Sequence, residues 1–414
     1  MQTRSTTFAD DKQITQSNRL YYLDWLRIIA VLFVFLHHCA KFFDFDEKGI
    51  GIYSSVRSLP LSMLREFDNQ WMMPLFFIIS GASIYFSLNS RKIGGFIKER
   101  VLRILIPLVF IGTFLINPPQ VYLRLLFNGA TTSSFIQWYP NYFKLMHDIG
   151  SSSFVLLGTH LWYLHSLFFY SLILLPLFIP SKKTGKSAIS SLSLFFQNPW
   201  ALFLLFVPLS ITSAVSEIMG IGATRIMGGW DPMSYVVFFI YGYLIFSNTQ
   251  IRETIRKYYA VNLGVAIVLS IVYLDSHFGI NLDISGITGH NINENGAILP
   301  VTPFVFIGIQ AFRGLLSWCL IIGLLGFGHR FLNGSNRFLA YTNEAVLPFY
   351  ILHLTIIFIF CFYIIQWDSS IFTKFFAMAC ISFVVIMAIY ELLVRRLNIL
   401  RFLFGMKLKK SRTT

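Results

Sequence analysis

Ionisable residues interrupt an apolar stretch near the start of the chain. Residues 23–43 are long enough and apolar enough to cross a bilayer, which takes about 20 residues. The stretch nevertheless contains Asp24, Arg27, His37, His38 and Lys41. An ionisable group inside a spanning helix costs roughly 2.5 kcal/mol or more, so such groups commonly mark a functional site.

Three of these residues share one face of the predicted helix. At about 100° per residue, Asp24, Arg27 and His38 fall within an arc of roughly 60°, while His37 points elsewhere. The helical rise separates Arg27 from His38 by about 16 Å. A guanidinium suits a phosphate or carboxylate, and an imidazole can remove a hydroxyl proton near neutral pH. We therefore expect Arg27, held by Asp24, to bind an anionic substrate that donates a chemical group, and His38 to act as general base.

The polar stripe formed by Asp24, Arg27 and His38 also has a purely structural explanation. His38 could hydrogen-bond a neighbouring helix, and Arg27 could simply pair with Asp24 three residues earlier. A polar stripe in a spanning helix is also typical of transporters.

Composition places the chain among all-α, polytopic membrane proteins. Of 414 residues, 55% are hydrophobic and 17% aromatic, whereas only 13% are charged; soluble domains average about 25% charged residues. The net charge of +14 is spread over short loops between apolar runs, which is a topology signal rather than a nucleic-acid surface. We expect the lipid bilayer as a partner and no nucleic acid.

Hydrophobic runs predict about ten transmembrane helices. Lys and Arg concentrate in the N-terminal segment, alternate short loops and the C-terminal tail, which predicts that both termini are cytoplasmic. His38 then lies toward the outer face, as do the polar loops 44–70, 118–159 and 276–311. The predicted spans are 23–43, 71–89, 101–117, 160–180, 200–216, 234–247, 259–275, 312–328, 346–366 and 371–393.

One membrane domain is the simplest organisation. We predict a cytoplasmic N-terminal segment at 1–22, a membrane domain at 23–393 and a basic cytoplasmic tail at 394–414. The roughly 20 polar residues before the first apolar run argue against a cleaved signal peptide. The four cysteines sit in apolar stretches without metal-ligand spacing, so we expect neither a disulfide framework nor a metal site.

Several motifs occur in a fixed order along the chain. Ten residues separate Arg27 from His38, and the run Tyr-Leu-Asp-Trp-Leu-Arg precedes them. With these motifs the chain resembles the acyltransferase 3 superfamily of membrane O-acyltransferases, and within it the branch that succinylates periplasmic glucans. The further motifs are WMMPLFFIISG at 71–81, RVLRILIP at 100–107, PPQ at 118–120, HLWYL at 160–164 and FYILH at 349–353.

The resemblance implies an enzyme and its substrates. The donor would be acyl-CoA, acting as a substrate rather than as a tightly bound cofactor. The acceptor would be a hydroxyl of an extracytoplasmic carbohydrate such as a periplasmic glucan. We expect the acyl group to be succinyl or acetyl and the location to be the bacterial inner (plasma) membrane.

Further residues are candidates for binding substrate, and each has a simpler structural explanation. We expect His160 at the depth of His38, and His353 about two turns from the cytoplasmic end of its span, toward the donor. Pro118-Pro119 should end the third span and turn Gln120 toward an outer vestibule. The full set is His37, Arg103, Gln120, His160, Trp162 and His353.

The main alternative function is a transporter or exporter of a polar lipid or sugar. Such proteins often contain paired repeats and matching broken helices, and the sequence shows neither. A membrane scaffold for glycan assembly is a third possibility, but it leaves the stripe at His38 unexplained.

Overall fold

The computed structural model describes residues 19–45, 51–147, 159–180, 187–221, 228–279 and 303–409. Every regular element in these ranges is helical, which confirms the predicted all-α fold. Helices suit a bilayer because all their backbone hydrogen bonds are made within the segment.

Fifteen helical segments of four residues or more are numbered here in chain order. They are α1 Tyr21–Ala40, α2 Leu59–Ser90, α3 Ile93–Phe127, α4 Phe135–His147, α5 Trp162–Ile173, α6 Leu175–Phe178, α7 Ala188–Leu192, α8 Pro199–Phe203, α9 Phe206–Ile218, α10 Pro232–Phe246, α11 Thr249–Phe278, α12 Pro303–Phe331, α13 Arg337–Ile364, α14 Ile371–Val394 (π-helical from Tyr390) and α15 Asn398–Leu403. Within α3, the stretches Val101–Leu105 and Pro107–Ile116 are π-helical.

Eight helical segments in the described ranges are long and apolar enough to cross a membrane. They are α1, α2, α3, α8 with α9, α11, α12, α13 and α14. The other two predicted spans coincide with shorter helices: 234–247 with α10, and 160–180 with α5 and α6, which part at Leu174. The chain is a multi-pass membrane protein.

The second helix starts much earlier than predicted. α2 begins at Leu59, with Pro60 in its first turn, where the missing N–H costs nothing. The prediction that residues 44–70 form an outer loop is therefore wrong for their second half. Arg65 and Asp68, which lower the hydropathy of this region, are buried between helices instead of facing lipid.

The third helix does not stop at Pro118-Pro119. The chain remains helical from Ile93 to Phe127, and the two prolines occupy the first turn of its last α-helical part. The predicted helix end and the outward turn of Gln120 are therefore wrong. Proline is tolerated in a first turn because its fixed φ already suits the helix.

The first helix lies at the centre of the described bundle. α1 contacts α2, α12, α13 and α14, and more than half of its residues are buried. In contrast, α11 exposes Val261, Ile267, Val268 and Ile271 on its outer face. An apolar outside around a partly polar interior is typical of a helix bundle in lipid.

The two ends of the described chain meet at one end of the bundle. Arg19 binds Asp24, and Arg27 reaches Asn343 at the start of α13. Beside Asn343, Glu344 accepts a hydrogen bond of 2.7 Å from the buried Arg401 of α15. We call this the terminal end. Which membrane face it occupies stays a prediction.

Two glycines bring α2 and α10 into close contact. A Cβ on Gly81 would collide with the carbonyl oxygen of Phe239, and a Cβ on Gly242 with that of Ile78. Small residues at such positions allow backbones to approach, which drives helix association in membranes. This contact fixes α2, which carries part of the site described below.

We therefore expect Gly242→Ala to destabilise the protein by roughly 1–3 kcal/mol, because the added methyl overlaps backbone that cannot move aside. Thermal unfolding in detergent measures the effect. Gly264→Ala is the matched control, because a Cβ there meets nothing within 4 Å. Equal unfolding temperatures for the two variants would contradict the close contact.

Candidate active site

Asp24 anchors the cationic end of the stripe on α1. Its carboxylate accepts hydrogen bonds from Arg27 Nη1 at 3.3 Å and from Arg19 Nε at 3.0 Å. Arg27 Nη1 also lies 3.4 Å from Oδ1 of Asn343 on α13. The predicted pairing of Arg27 with Asp24 is present in the structure. It does not neutralise the region, since one carboxylate serves two guanidinium groups.

A cavity of about 660 Å³ opens beside this ion pair at the terminal end. It lies between the start of α1, the end of α2 and the start of α3. Five arginines line it against two carboxylates, so its wall carries excess positive charge. The charged lining residues are Arg19, Asp24, Arg27, Arg91, Glu99, Arg100 and Arg103. We call it the arginine pocket.

Four histidines from three segments converge near the other end of α1. The rings of His38 and His353 lie 5.1 Å apart, and those of His353 and His160 lie 5.0 Å apart. The His37 ring meets His38 edge to face at 5.4 Å. His160 and His38 thus both contact His353, which agrees with the prediction that they lie at the same depth. We call these four residues the histidine cluster.

His353 is not where the sequence placed it. The prediction put it two turns from the cytoplasmic end of its span, but α13 begins at Arg337, so His353 lies about 24 Å along the helix. Its expected position on the donor side is wrong. His353 Nδ1 lies 2.5 Å from the carbonyl oxygen of Tyr350, to which it donates if Nδ1 carries the proton. Nε2 then holds a lone pair and has no hydrogen-bond partner in the described ranges.

Gln120 supports His160 from inside the protein. It is fully buried, and its Nε2 lies 2.8 Å from Thr355 Oγ1 and 3.3 Å from His160 Nδ1. On the far side of the ring, His160 Nε2 lies 3.2 Å from the carbonyl oxygen of Ile351. With the Gln120 amide donating, His160 carries its proton on Nε2. Gln120 is therefore part of the histidine network and does not face an outer vestibule.

Three side chains with hydroxyl groups lie between the cluster and the arginine pocket. Tyr350 donates to the carbonyl oxygen of His160 at 2.6 Å, and its ring lies 5.9 Å from that of Tyr163. The Tyr163 hydroxyl lies 2.6 Å from Ser80 Oγ and within electrostatic reach of Arg27 and Arg100. Polar side chains therefore occupy the interior between the two ends of the stripe.

The two ends of the stripe face the same neighbouring helix. Arg27 meets Asn343 and His38 meets His353, so α1 and α13 touch through polar groups at two depths. The spacing is about 16 Å on α1 and about 15 Å on α13, so the helices run in parallel. The prediction that Arg27 and His38 lie on one face of α1 is confirmed.

Comparisons with known proteins show which family the chain belongs to. The acyltransferase domain family of the acyltransferase 3 type matches residues 20–391. The chain belongs to this family. Glucans biosynthesis protein C of Salmonella typhimurium is 24% identical over 401 residues, covering 94% of this chain and 95% of the relative. The Salmonella typhi protein of that name is 23% identical over the same shares. No solved structure matches.

The protein is thus a membrane acyltransferase, as the sequence motifs indicated. Family membership favours an enzyme over the transporter and scaffold alternatives.

The predicted binding residues of this acyltransferase fall in separate places. Arg103 lines the arginine pocket and lies 3.3 Å from Glu99. The Trp162 ring packs on Tyr235 at 5.2 Å, in an aromatic group apart from the imidazoles. His37 faces α2, where its Nδ1 lies 3.9 Å from Oδ2 of Asp68. Whether these residues touch substrate stays a prediction.

Sequence reasoning missed several residues that complete the site. Asp68 had been assigned to a loop, and Ser80 lay inside an apolar motif without an evident role. Thr355 follows His353 by two residues, a spacing that gives no hint of its contact with Gln120. Tyr350 had a usable signal, because it belongs to the FYILH motif and lies one turn from His353. In the described ranges, no group of three His, Cys, Asp or Glu is arranged to hold a metal ion.

We expect His353→Ala to lower acyl transfer at least about 100-fold, the usual contribution of a positioned acid–base group. The measurement is product formed per folded molecule in detergent or vesicles. His165→Ala is the matched control, because this half-exposed histidine of α5 packs against Phe169. Loss of activity in both variants, or in neither, would contradict a special role for His353.

Proposed function

We propose that the protein transfers a succinyl or acetyl group from acyl-CoA to a carbohydrate hydroxyl on the far side of the bacterial inner membrane. One observation carries the proposal: the arginine pocket and the histidine cluster lie at opposite ends of one polar stripe. The reaction needs both elements, and it needs no tightly bound cofactor.

The arginine pocket suits the donor. Acyl-CoA carries phosphates at one end and its thioester at the end of a long flexible arm. Guanidinium groups bind phosphate through paired, charge-assisted hydrogen bonds. With the phosphates among Arg27, Arg100 and Arg103, the arm would extend past Tyr163 and Ser80 toward the histidine cluster.

The histidine cluster suits the acceptor. His38 would take the hydroxyl proton while the oxygen attacks the thioester carbonyl. The C–S bond then breaks and the sulfur takes up the proton, which leaves an ester and free CoA. His38 Nδ1 is buried and has no hydrogen-bond partner in the described ranges, so in the tautomer protonated on Nε2 its lone pair is uncommitted. The residue His38 as a whole is partly exposed.

The relatives support a glucan as acceptor. Their name, glucans biosynthesis protein C, connects them with glucan formation, and they align with nearly the whole chain. We extend this substrate class to the present protein as part of the proposal.

We expect Arg27→Lys to raise the KM for acyl-CoA at least about tenfold, because an ammonium cannot make a paired contact with an anion. The KM for the carbohydrate should change little. Initial rates with each substrate varied in turn separate the two effects. Arg256→Lys, an exposed arginine at the start of α11, is the control. An increase confined to the KM of the acceptor would remove Arg27 from the donor site.

Sidedness provides an independent test. In sealed vesicles of known orientation, transfer should require acyl-CoA on the face bearing the terminal end and glucan on the opposite face. The acyl group then crosses the membrane while the sugar stays outside. Mass spectrometry of the glucan detects the added group.

Vesicles with both substrates on the terminal face serve as the control for this experiment. They should give little product until a detergent opens them. Efficient transfer in vesicles shown to be intact would place the acceptor at the terminal end and refute the proposed path.

A further inference from the structure

An acidic side chain that has no hydrogen-bond partner in the described ranges lies beside the histidine cluster. Asp68 of α2 is fully buried, and neither carboxylate oxygen has a hydrogen-bond partner in the described ranges. Nδ1 of His37, 3.9 Å from Oδ2, is likewise buried and without such a partner. Two complementary polar groups therefore face each other at slightly more than hydrogen-bond distance.

This arrangement is costly, which argues against a purely structural role. A buried polar group without a partner costs roughly 1–3 kcal/mol, and a buried charge costs more. Structural carboxylates in proteins are normally hydrogen-bonded. Asp231 shows this in the same molecule: it is buried and accepts hydrogen bonds from Ser216 Oγ and from Ser234 N and Oγ at 2.7–2.9 Å.

Neighbouring groups reach Asp68 electrostatically, but none in the described ranges donates a hydrogen bond to it. Arg65, one turn earlier on α2, forms a buried ion pair with Asp44. Glu66 is engaged by Tyr273 and Asn69. The charges around His37 and His38 are otherwise positive or neutral: Arg65 on α2, Lys41 on the same segment, and the imidazoles of His160 and His353.

The position of Asp68 relative to the reacting group is the decisive point. His37 is close to both Asp68 and His38: its Nδ1 lies 3.9 Å from Asp68 Oδ2, and its ring meets that of His38 edge to face at 5.4 Å. A carboxylate behind a catalytic imidazole fixes the ring and stabilises the positive charge that forms on proton uptake. Such contacts are often long before substrate binds.

We propose that Asp68 is a positioning residue of the acyl-transfer site. It orients His37 and supplies negative charge that stabilises the histidine pair when His38 takes the acceptor's proton. Asp68 itself forms no bond to substrate and gives up no proton in the net reaction. The inference rests on the proposed function, since it needs a hydroxyl proton to be taken up at this end of α1.

The test compares Asp68→Asn, Asp68→Glu and Asp231→Asn with the natural protein. Turnover at saturating acyl-CoA and glucan is measured per folded molecule, together with both KM values and the midpoint of thermal unfolding. For Asp68→Asn we expect turnover to fall at least about 100-fold, with each KM within about threefold. Its unfolding midpoint should equal or exceed that of the natural protein, because a costly buried acid is gone.

The other two variants separate charge from structure. Asp68→Glu keeps the acid and should recover part of the turnover lost in Asp68→Asn. Asp231→Asn should unfold at a lower temperature and keep its turnover per folded molecule. Asp68→Asn would overturn the proposal by retaining turnover, by failing to fold where Asp231→Asn folds, or by raising the KM for acyl-CoA at unchanged turnover.

Failure of the proposed function would look different. In that case the natural protein itself would form no ester from acyl-CoA and glucan. The unfolding midpoints would still show whether Asp68 destabilises the fold.

Discussion

The structure depends on the parallel contact between α1 and α13. This contact joins Arg27 to Asn343 at one depth and His38 to His353 at another. Because both helices are rigid over this length, the separation between the two polar levels is set by helical rise. α2, α12 and α14 also contact α1, and α3 contacts α13. α2 supplies Ser80 and Asp68, and α3 supplies the pocket arginines together with Gln120.

Polar groups inside a membrane protein must find hydrogen-bond partners within the protein. In the described ranges only some of the interior polar groups do so. Asp24 is shared by two arginines, Asp44 is paired with Arg65, and Gln120 bonds within the histidine network. Five unpartnered buried side-chain atoms of the described ranges lie on His37, His38, His353 and Asp68, and others are spread over the rest of the bundle. Because unsatisfied buried groups cost stability, they tend to persist where function requires them. Several unsatisfied groups therefore lie at the place where the chemistry is proposed.

The sequence predicted what one helix can show by itself. The common face of Arg27 and His38 follows from helical periodicity, and the family follows from motif order. Helix ends were harder to predict, because hydropathy excludes polar residues from a predicted span whether they face water or pack against other helices. That error put Asp68 in a loop and His353 at the wrong depth. The contact of Gln120 with His160 joins residues 40 positions apart, and a pattern within one helix holds no information on such contacts.

The unusual winding of α3 has a further consequence. In a regular α-helix, Arg100 and Gln120 would point in directions about 160° apart, yet both face the protein interior, one in the arginine pocket and one beside His160. The π-helical turns between them, each with one residue more than an α-turn, change this angle. The number of residues in α3 is therefore constrained independently of their hydrophobicity. Loss of a single residue there would turn one of the two groups by roughly 100°, while the segment remained equally able to cross a membrane.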